Sequence, residues 1–170
     1  LFNEKNEPIG VEGSLRDITE RKRAEEKVRE SESRYRTLIE QSLEAIYLYD
    51  PVTEKIQEAN PAFLTMLGYS KEDLASLRLH DFINHDPKEI KAIICHIMKI
   101  GSTTIGERLW KRKNGSLLDV YVMGSRIHHD GGDYLFIVAN DITIRKKTEE
   151  ALRESEERYR QIVENANDII

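Results

Sequence analysis

The chain has 170 residues, of which 39% are hydrophobic and 34% are charged, so it can build one core of about 100 to 120 residues beneath a strongly charged surface. The formal net charge is −5, and no basic stretch stands free of acidic residues, which argues against nucleic acid as a partner. The chain has a single cysteine, Cys95, so we expect a cytoplasmic location with neither an intrachain disulfide nor a structural metal. No apolar run approaches the roughly 18 residues that span a bilayer, so we expect no direct membrane contact.

Two stretches of the chain repeat each other at a distance of 124 residues. Residues 17–46 and 141–170 share 16 identical positions, which include the triplets Asp17-Ile18-Thr19 and Asp141-Ile142-Thr143. This period is too long for a solenoid repeat and matches one small domain plus its connector. We therefore expect one complete domain between parts of two others. The expected segments are the C-terminal strand of a preceding unit at residues 1–18, the complete domain at residues 42–143 and the start of a following unit at residues 166–170.

Each repeated stretch predicts a long, charged connector helix, at residues 19–41 and at residues 144–165. Oppositely charged side chains recur four positions apart, as in Glu25 and Arg29, and this spacing supports solvated helices. Thr19 or Asp17, and Thr143 or Asp141, are suited to capping the first turns. An apolar stripe at alternating steps of three and four predicts a dimer seam; its members are Val28, Tyr35, Leu38, Leu152 and Tyr159. A helix that lies against its own domain explains the same narrow stripe.

Between the connectors, the pattern predicts two strands, several short helices and three longer strands. Asn60 and Pro61 are typical of a helix start, and Gly68 and Gly101 are typical of helix ends. Isoleucines at helical spacing, among them Ile90, Ile94 and Ile97, mark the longest helix of this region. The predicted strands cover residues 45–50, 55–60, 103–113, 116–127 and 134–141. The predicted helices cover residues 62–67, 71–76 and 87–100.

Several motifs in this order resemble the PAS domain, a sensory module of bacterial and archaeal signalling proteins. They are Asn60-Pro61-Ala62-Phe63, Leu67-Gly68-Tyr69-Ser70, Lys111-Arg112-Lys113-Asn114-Gly115-Ser116 and Asp141-Ile142-Thr143. The connectors are similar to those between consecutive PAS domains of sensor histidine kinases. The resemblance implies an α+β fold in which short helices cup one side of a five-stranded antiparallel sheet, with a ligand cavity between them. It also implies that Asp141 and Thr143, and in the first copy Asp17 and Thr19, relay signals into the helix that follows each triplet.

The resemblance disfavours haem and photoactive flavin and leaves any other cofactor unknown. Haem-binding members carry an axial histidine at the position of Ile90, whereas the histidine of this helix is His96. Photosensory members carry a reactive cysteine where this chain has Leu79-His80-Asp81-Phe82. The candidates for lining a small-molecule cavity are Asn60, Phe63, Met66, Ile90, Ile94, Ile97, Trp110, Tyr121 and Phe136. The three aromatic residues on the long strands are equally suited to filling the core.

The chain has no Ser/His/Asp set, glycine-rich phosphate loop or kinase phosphoacceptor motif, so we expect no catalysis from it. The sequence predicts a sensory and signal-relay domain of a multidomain protein, most typically a sensor histidine kinase. It would form a homodimer through its connector helices and domain surface and respond to a small molecule or to the preceding unit. The alternative is a ligand-free dimerisation or spacer module.

Overall fold

The computed structural model describes residues 19–129 and 131–167, and the side chains of residues 20–129 and 131–162. The expected strand at residues 1–18, Asp17 included, lies outside the described residues, as do the side chain of Thr19 and the last three residues of the expected following unit. The chain divides into two units, residues 1–37 and residues 38–170.

The described part of the first unit is a single helix, α1, which spans Thr19–Glu40 and crosses into the second unit at its last turn. Its side chains from residue 20 onward are exposed. Arg21 Nε lies 2.7 Å from Glu25 Oε1, one turn along the helix. The helix predicted at residues 19–41 ends one residue earlier in the structure, at residue 40.

The second unit is built on a five-stranded antiparallel sheet with the strand order β2-β1-β5-β4-β3. Alternation of buried and exposed residues along the central strands leaves one face of this sheet apolar. The strands are β1 (Ala45–Asp50), β2 (Lys55–Ala59), β3 (Ser102–Lys111), β4 (Leu117–His129) and β5 (Gly132–Asp141). The predicted α+β class and five-stranded antiparallel sheet are confirmed.

Short helices connect β2 to β3, and a long helix follows β5. They are α2 (Pro61–Leu67), a 3₁₀ turn (Asp73–Ala75), α3 (Leu79–Phe82), α4 (Pro87–Ile100) and α5 (Thr143–Asn167). The helix predicted at residues 71–76 is only this 3₁₀ turn, and Leu77, two residues after it, is buried in the core. α5 continues through Asn167, so the boundary expected at residue 166 falls inside the helix.

The core lies between the apolar face of the sheet and helices α2 to α4. Its centre is an aromatic cluster whose ring centroids are 5.0 to 6.3 Å apart, and it consists of Tyr47, Phe63, Phe82 and Trp110. Burial of each such side chain stabilises the fold by about 1.5 to 3 kcal/mol. Over the described residues, no helix has both the length and the apolar character needed to cross a membrane.

Candidate functional site

A cavity of about 60 Å³ lies between α4 and the inner face of the sheet. Isoleucines of α4 form one wall, because positions 90, 93, 94 and 97 share one helix face. The opposite wall is made of inward-facing side chains of β1, β3, β4 and β5, among them Tyr47, Trp110 and Val122. The cavity is therefore mainly apolar and borders the aromatic cluster.

Four of the nine predicted lining residues border this cavity, namely Ile90, Ile94, Ile97 and Trp110. Phe63 is fully buried in the aromatic cluster, and Met66 packs against the core from α2, so neither reaches the cavity wall. The helical periodicity of α4 was thus the informative signal, because it identified the face that meets the sheet.

Asn60 does not line the cavity, because its side chain is committed to the backbone. Its Oδ1 accepts hydrogen bonds from Phe63 N at 3.0 Å and from Ile46 N at 2.9 Å. Its Nδ2 donates to Ile39 O at 3.1 Å and to Glu44 O at 2.9 Å. A primary amide can form four such bonds, so Asn60 has no free group for a ligand and instead joins α2 to the start of β1.

Tyr121 and Phe136 also lie away from the cavity. Each neighbours a cavity-lining residue, Val122 and Leu135 respectively. Successive side chains of a strand point to opposite faces, so Tyr121 and Phe136 belong to the outer face of the sheet. Tyr121 is 37% exposed there. The sequence identified the strands that carry these residues but not which face meets the helices.

The cavity contains polar residues that the sequence analysis missed. Tyr49, His85 and Arg108 all line it. Burial is the main cause that raises the pKa of the Tyr49 hydroxyl, with smaller contributions from Glu54 and Asp50, while the charge of Arg78 acts in the opposite direction. His85 Nε2 lies 3.4 Å from the backbone N of Leu109. The alternation of Tyr47 and Tyr49 in β1 was the available signal for two inward-facing tyrosines.

Asp141 and Thr143 lie where the sheet ends and α5 begins. Asp141 Oδ1 accepts a hydrogen bond from Thr143 N at 2.9 Å, and Thr143 Oγ1 accepts one from Asp119 N at 3.2 Å. Ile142, which is buried between them, donates its N–H to Asp119 O at 2.9 Å. Arg112 Nη2 lies 3.4 Å from Asp141 Oδ2. The first turn of α5 is thus joined to β4 and to the end of β3.

Lys146 adds a second connection between α5 and the sheet. Its Nζ lies 2.8 Å from Asp119 Oδ1 on β4 and 2.7 Å from Glu107 Oε2 on β3. Hydrogen bonds to these two carboxylates, Asp119 first, raise the pKa of Lys146. Arg145 Nη2 lies 3.4 Å from Glu107 Oε1. The sequence showed the two basic residues but not their acceptors, which come from other strands.

The predicted dimer seam is exposed on both connector helices. Its five members, Val28, Tyr35, Leu38, Leu152 and Tyr159, are between 58% and 69% exposed. His96 and Cys95 on α4 are exposed as well. In the part of the chain that the structure describes, no group of three or more His, Cys, Asp or Glu side chains is arranged to hold a metal ion.

Comparison with known proteins agrees with the resemblance seen in the sequence. The family model of the PAS domain matches residues 43–143. The chain is 30% identical over 135 residues to the methyl sulfide methyltransferase-associated sensor of Methanosarcina acetivorans, covering 76% of this chain and 13% of that protein. It is 31% identical over 121 residues to sporulation kinase A of Bacillus subtilis, covering 70% of this chain and 20% of that protein. The chain thus spans a fifth or less of the length of these two relatives.

Among solved structures, the chain is similar to the PAS domain of an HTR-like protein from Haloarcula marismortui. The TM-score is 0.62 at 26% identity, and the match covers 71% of this chain and 99% of that domain. The family model covers more than half of the 170 residues. The chain therefore belongs to the PAS domain family of sensory modules.

Proposed function

We propose that the chain is the sensory and relay segment of a larger cytoplasmic sensor histidine kinase. Its similarity to a methyltransferase-associated sensor and to a sporulation kinase supports this assignment. The segment acts without catalysis. It senses a small molecule in the cavity, or a change in the preceding unit, and passes that change to α5.

The observation that carries this proposal is the attachment of α5 to two strands that also border the cavity. β3 provides Trp110 and β4 provides Val122 to the cavity wall. The same two strands provide Glu107 and Asp119, the carboxylates that bind Lys146. A molecule that alters the spacing of the strands therefore also alters the anchoring points of α5. Coupling of this kind requires a difference in binding free energy between two states, typically about 1 to 3 kcal/mol.

The relay is tested by replacing Lys146 with Met, with Lys147→Met as the matched control because Lys147 is exposed beside it. We expect Lys146→Met to change the autophosphorylation rate of the full-length parent. It should also speed hydrogen exchange of the first turns of α5 in the isolated chain, because both ion pairs to the sheet are lost. A Lys146→Met variant that behaves like Lys147→Met in both assays would refute the relay through this helix.

The second candidate is a ligand-free dimerisation or spacer module, and the exposed seam on α1 and α5 favours it. Large apolar side chains repeat along both helices and leave most of their surface to solvent, which favours pairing with a second copy of the chain. Native mass spectrometry of the chain distinguishes the two candidates. A dimer that carries no small molecule supports the spacer, and a co-purified small molecule supports the sensor.

A further inference from the structure

A surface groove adjoins the cavity and shares a wall with it. Tyr49, Leu79, Ile90 and Ile94 line both the groove and the cavity. Apart from the aromatic ring of Tyr49, this wall consists of aliphatic side chains, and a change in their rotamers connects the groove to the cavity. A molecule with an apolar end and a polar end can therefore place the first in the cavity and the second in the groove.

The groove is basic, although the chain as a whole carries a net charge of −5. Three cationic side chains line it, Arg78, Lys91 and Lys99, against the single carboxylate of Glu54. Lys91 Nζ lies 3.9 Å from Glu54 Oε1, so that carboxylate is already paired. The groove keeps two positive charges without a counter-ion from its own lining, which favours an anionic ligand.

Arg78 holds the most informative atom of this groove. Among the described side chains, those of residues 20–129 and 131–162, its Nη1 is the one buried nitrogen or oxygen without a hydrogen-bond partner. The neighbouring acid, Asp81, does not satisfy it: the hydrogen bond between the two residues runs from the backbone N of Arg78 to Asp81 Oδ2, at 2.7 Å. Buried polar groups in native proteins are almost always paired, so an exception calls for a partner such as an ordered water, an ion or a ligand.

A carboxylate is the partner that a guanidinium group binds best, since its two oxygens match two parallel N–H donors. Arg78 lies beside the shared wall, because it lines the groove together with Tyr49, which borders both spaces. A cavity of about 150 Å³ binds benzene, which has six carbon groups, so by the same ratio the 60 Å³ cavity holds about two to three carbon groups of an apolar tail. The rest of a short tail lies along the shared wall.

We propose that the cavity and the groove form one site for a small carboxylate with an apolar tail, in which the tail occupies the cavity and Arg78 binds the carboxylate. This assignment rests on the proposed sensory function and names the class of ligand that it detects. It also explains why the chain retains a buried guanidinium nitrogen without an internal partner.

The chain contains its own reporter for the test, because Trp110 is its single tryptophan, is 1% exposed and lines the cavity. We would titrate the purified 170-residue chain with sodium hexanoate and, separately, with 1-hexanol, and follow tryptophan fluorescence. Hexanoate should bind to the wild type. Arg78→Gln should weaken hexanoate at least tenfold and leave hexanol unchanged, because only the carboxylate requires the guanidinium.

Two further variants control for folding and for charge. Arg78→Lys keeps the positive charge but loses the paired donors, so it should bind hexanoate with intermediate affinity. Lys88→Gln removes a positive charge from α4 outside the groove lining, so it should bind like the wild type. Circular dichroism of each variant shows whether the fold is retained.

The inference is overturned if Arg78→Gln and the wild type bind hexanoate with the same affinity. It is also overturned if the wild type binds hexanol but not hexanoate. Neither result contradicts the proposal that the cavity senses a small molecule. The absence of binding by both probes also overturns it, while the relay is judged separately by Lys146→Met. An Arg78-dependent affinity for hexanoate supports the site even if Lys146→Met leaves the output of the parent unchanged.

Discussion

Replacing Arg78 with Met should make the chain more stable. The substitution removes a guanidinium whose Nη1 is buried without a partner, and an unsatisfied buried donor costs about 1 to 3 kcal/mol. Met keeps an unbranched apolar stem of similar length, so the packing of the half-buried side chain is largely retained. Since part of Arg78 reaches solvent, we expect the lower end of that range, about 1 kcal/mol, or about 2 to 4 °C in Tm for a chain of this size.

Urea unfolding, followed by the fluorescence of Trp110, measures this change as a shift of the midpoint at constant slope. Lys99→Met is the matched control, because Lys99 lines the same groove but is exposed. Its free energy of unfolding should stay within about 0.5 kcal/mol of that of the wild type. A lower midpoint for Arg78→Met would refute the reasoning, since it would mean that the guanidinium stabilises the fold through contacts of its own. A gain in stability together with a loss of hexanoate affinity is typical of a residue retained for binding.

Three other substitutions test separate parts of the structure. Asn60→Ala should destabilise the chain by about 2 to 4 kcal/mol in urea unfolding, because it leaves the backbone partners of four hydrogen bonds unsatisfied; a loss below about 1 kcal/mol would show that these partners find substitutes. Burial raises the pKa of Asp50, but hydrogen bonds from Thr53, Val52 and Gln57 outweigh it, so the pKa is lowered in the folded state. The ionised carboxylate therefore contributes its full stabilisation above about pH 3.9, the pKa in the unfolded chain. This stabilisation is lost as the pH falls through the lower pKa of the folded state. The difference in stability between wild type and Asp50→Asn should therefore narrow below that pH, and a constant difference would contradict this sign. Val28→Glu should weaken self-association, measured by sedimentation velocity, whereas Lys27→Glu should not. Equal effects of the two substitutions would show that the chain does not associate through the predicted dimer seam.

Local patterns in the sequence predicted the strands and the long helix well. β1 and α4 have the predicted limits, because turn residues, a proline at the first helical position and terminal glycines act over a few neighbouring positions. The isoleucine face of α4 lies at the wall of the cavity. Where one element lies against another, periodicity alone was sufficient to locate part of the candidate site.

The remaining parts of the site depend on residues that are distant in sequence. Asp119 and Glu107 meet Lys146 only because β3 and β4 are paired and α5 returns across them. No sequence pattern identifies Arg78, because its guanidinium is without a hydrogen-bond partner only in the folded chain. Asn60 was predicted to line the cavity, but its side chain is used entirely in hydrogen bonds to the backbone of residues 39 to 46 and of Phe63. Tertiary proximity, not local propensity, decides each of these roles.

Glu107 and Arg108 show how a single strand can serve both sensing and relay. Arg108 lines the cavity, while the adjacent Glu107 binds Lys146 and Arg145 of α5. The pairing register of β3 shifts just before them, between Thr104 and Gly106, where Gly106 has a φ of 86°. A bulge locally increases the twist of a strand and directs its side chains differently. We therefore expect a ligand that displaces Arg108 to turn this part of β3 about the bulge and to carry Glu107 with it, so that the contacts of Glu107 with Lys146 and Arg145 change and α5 responds.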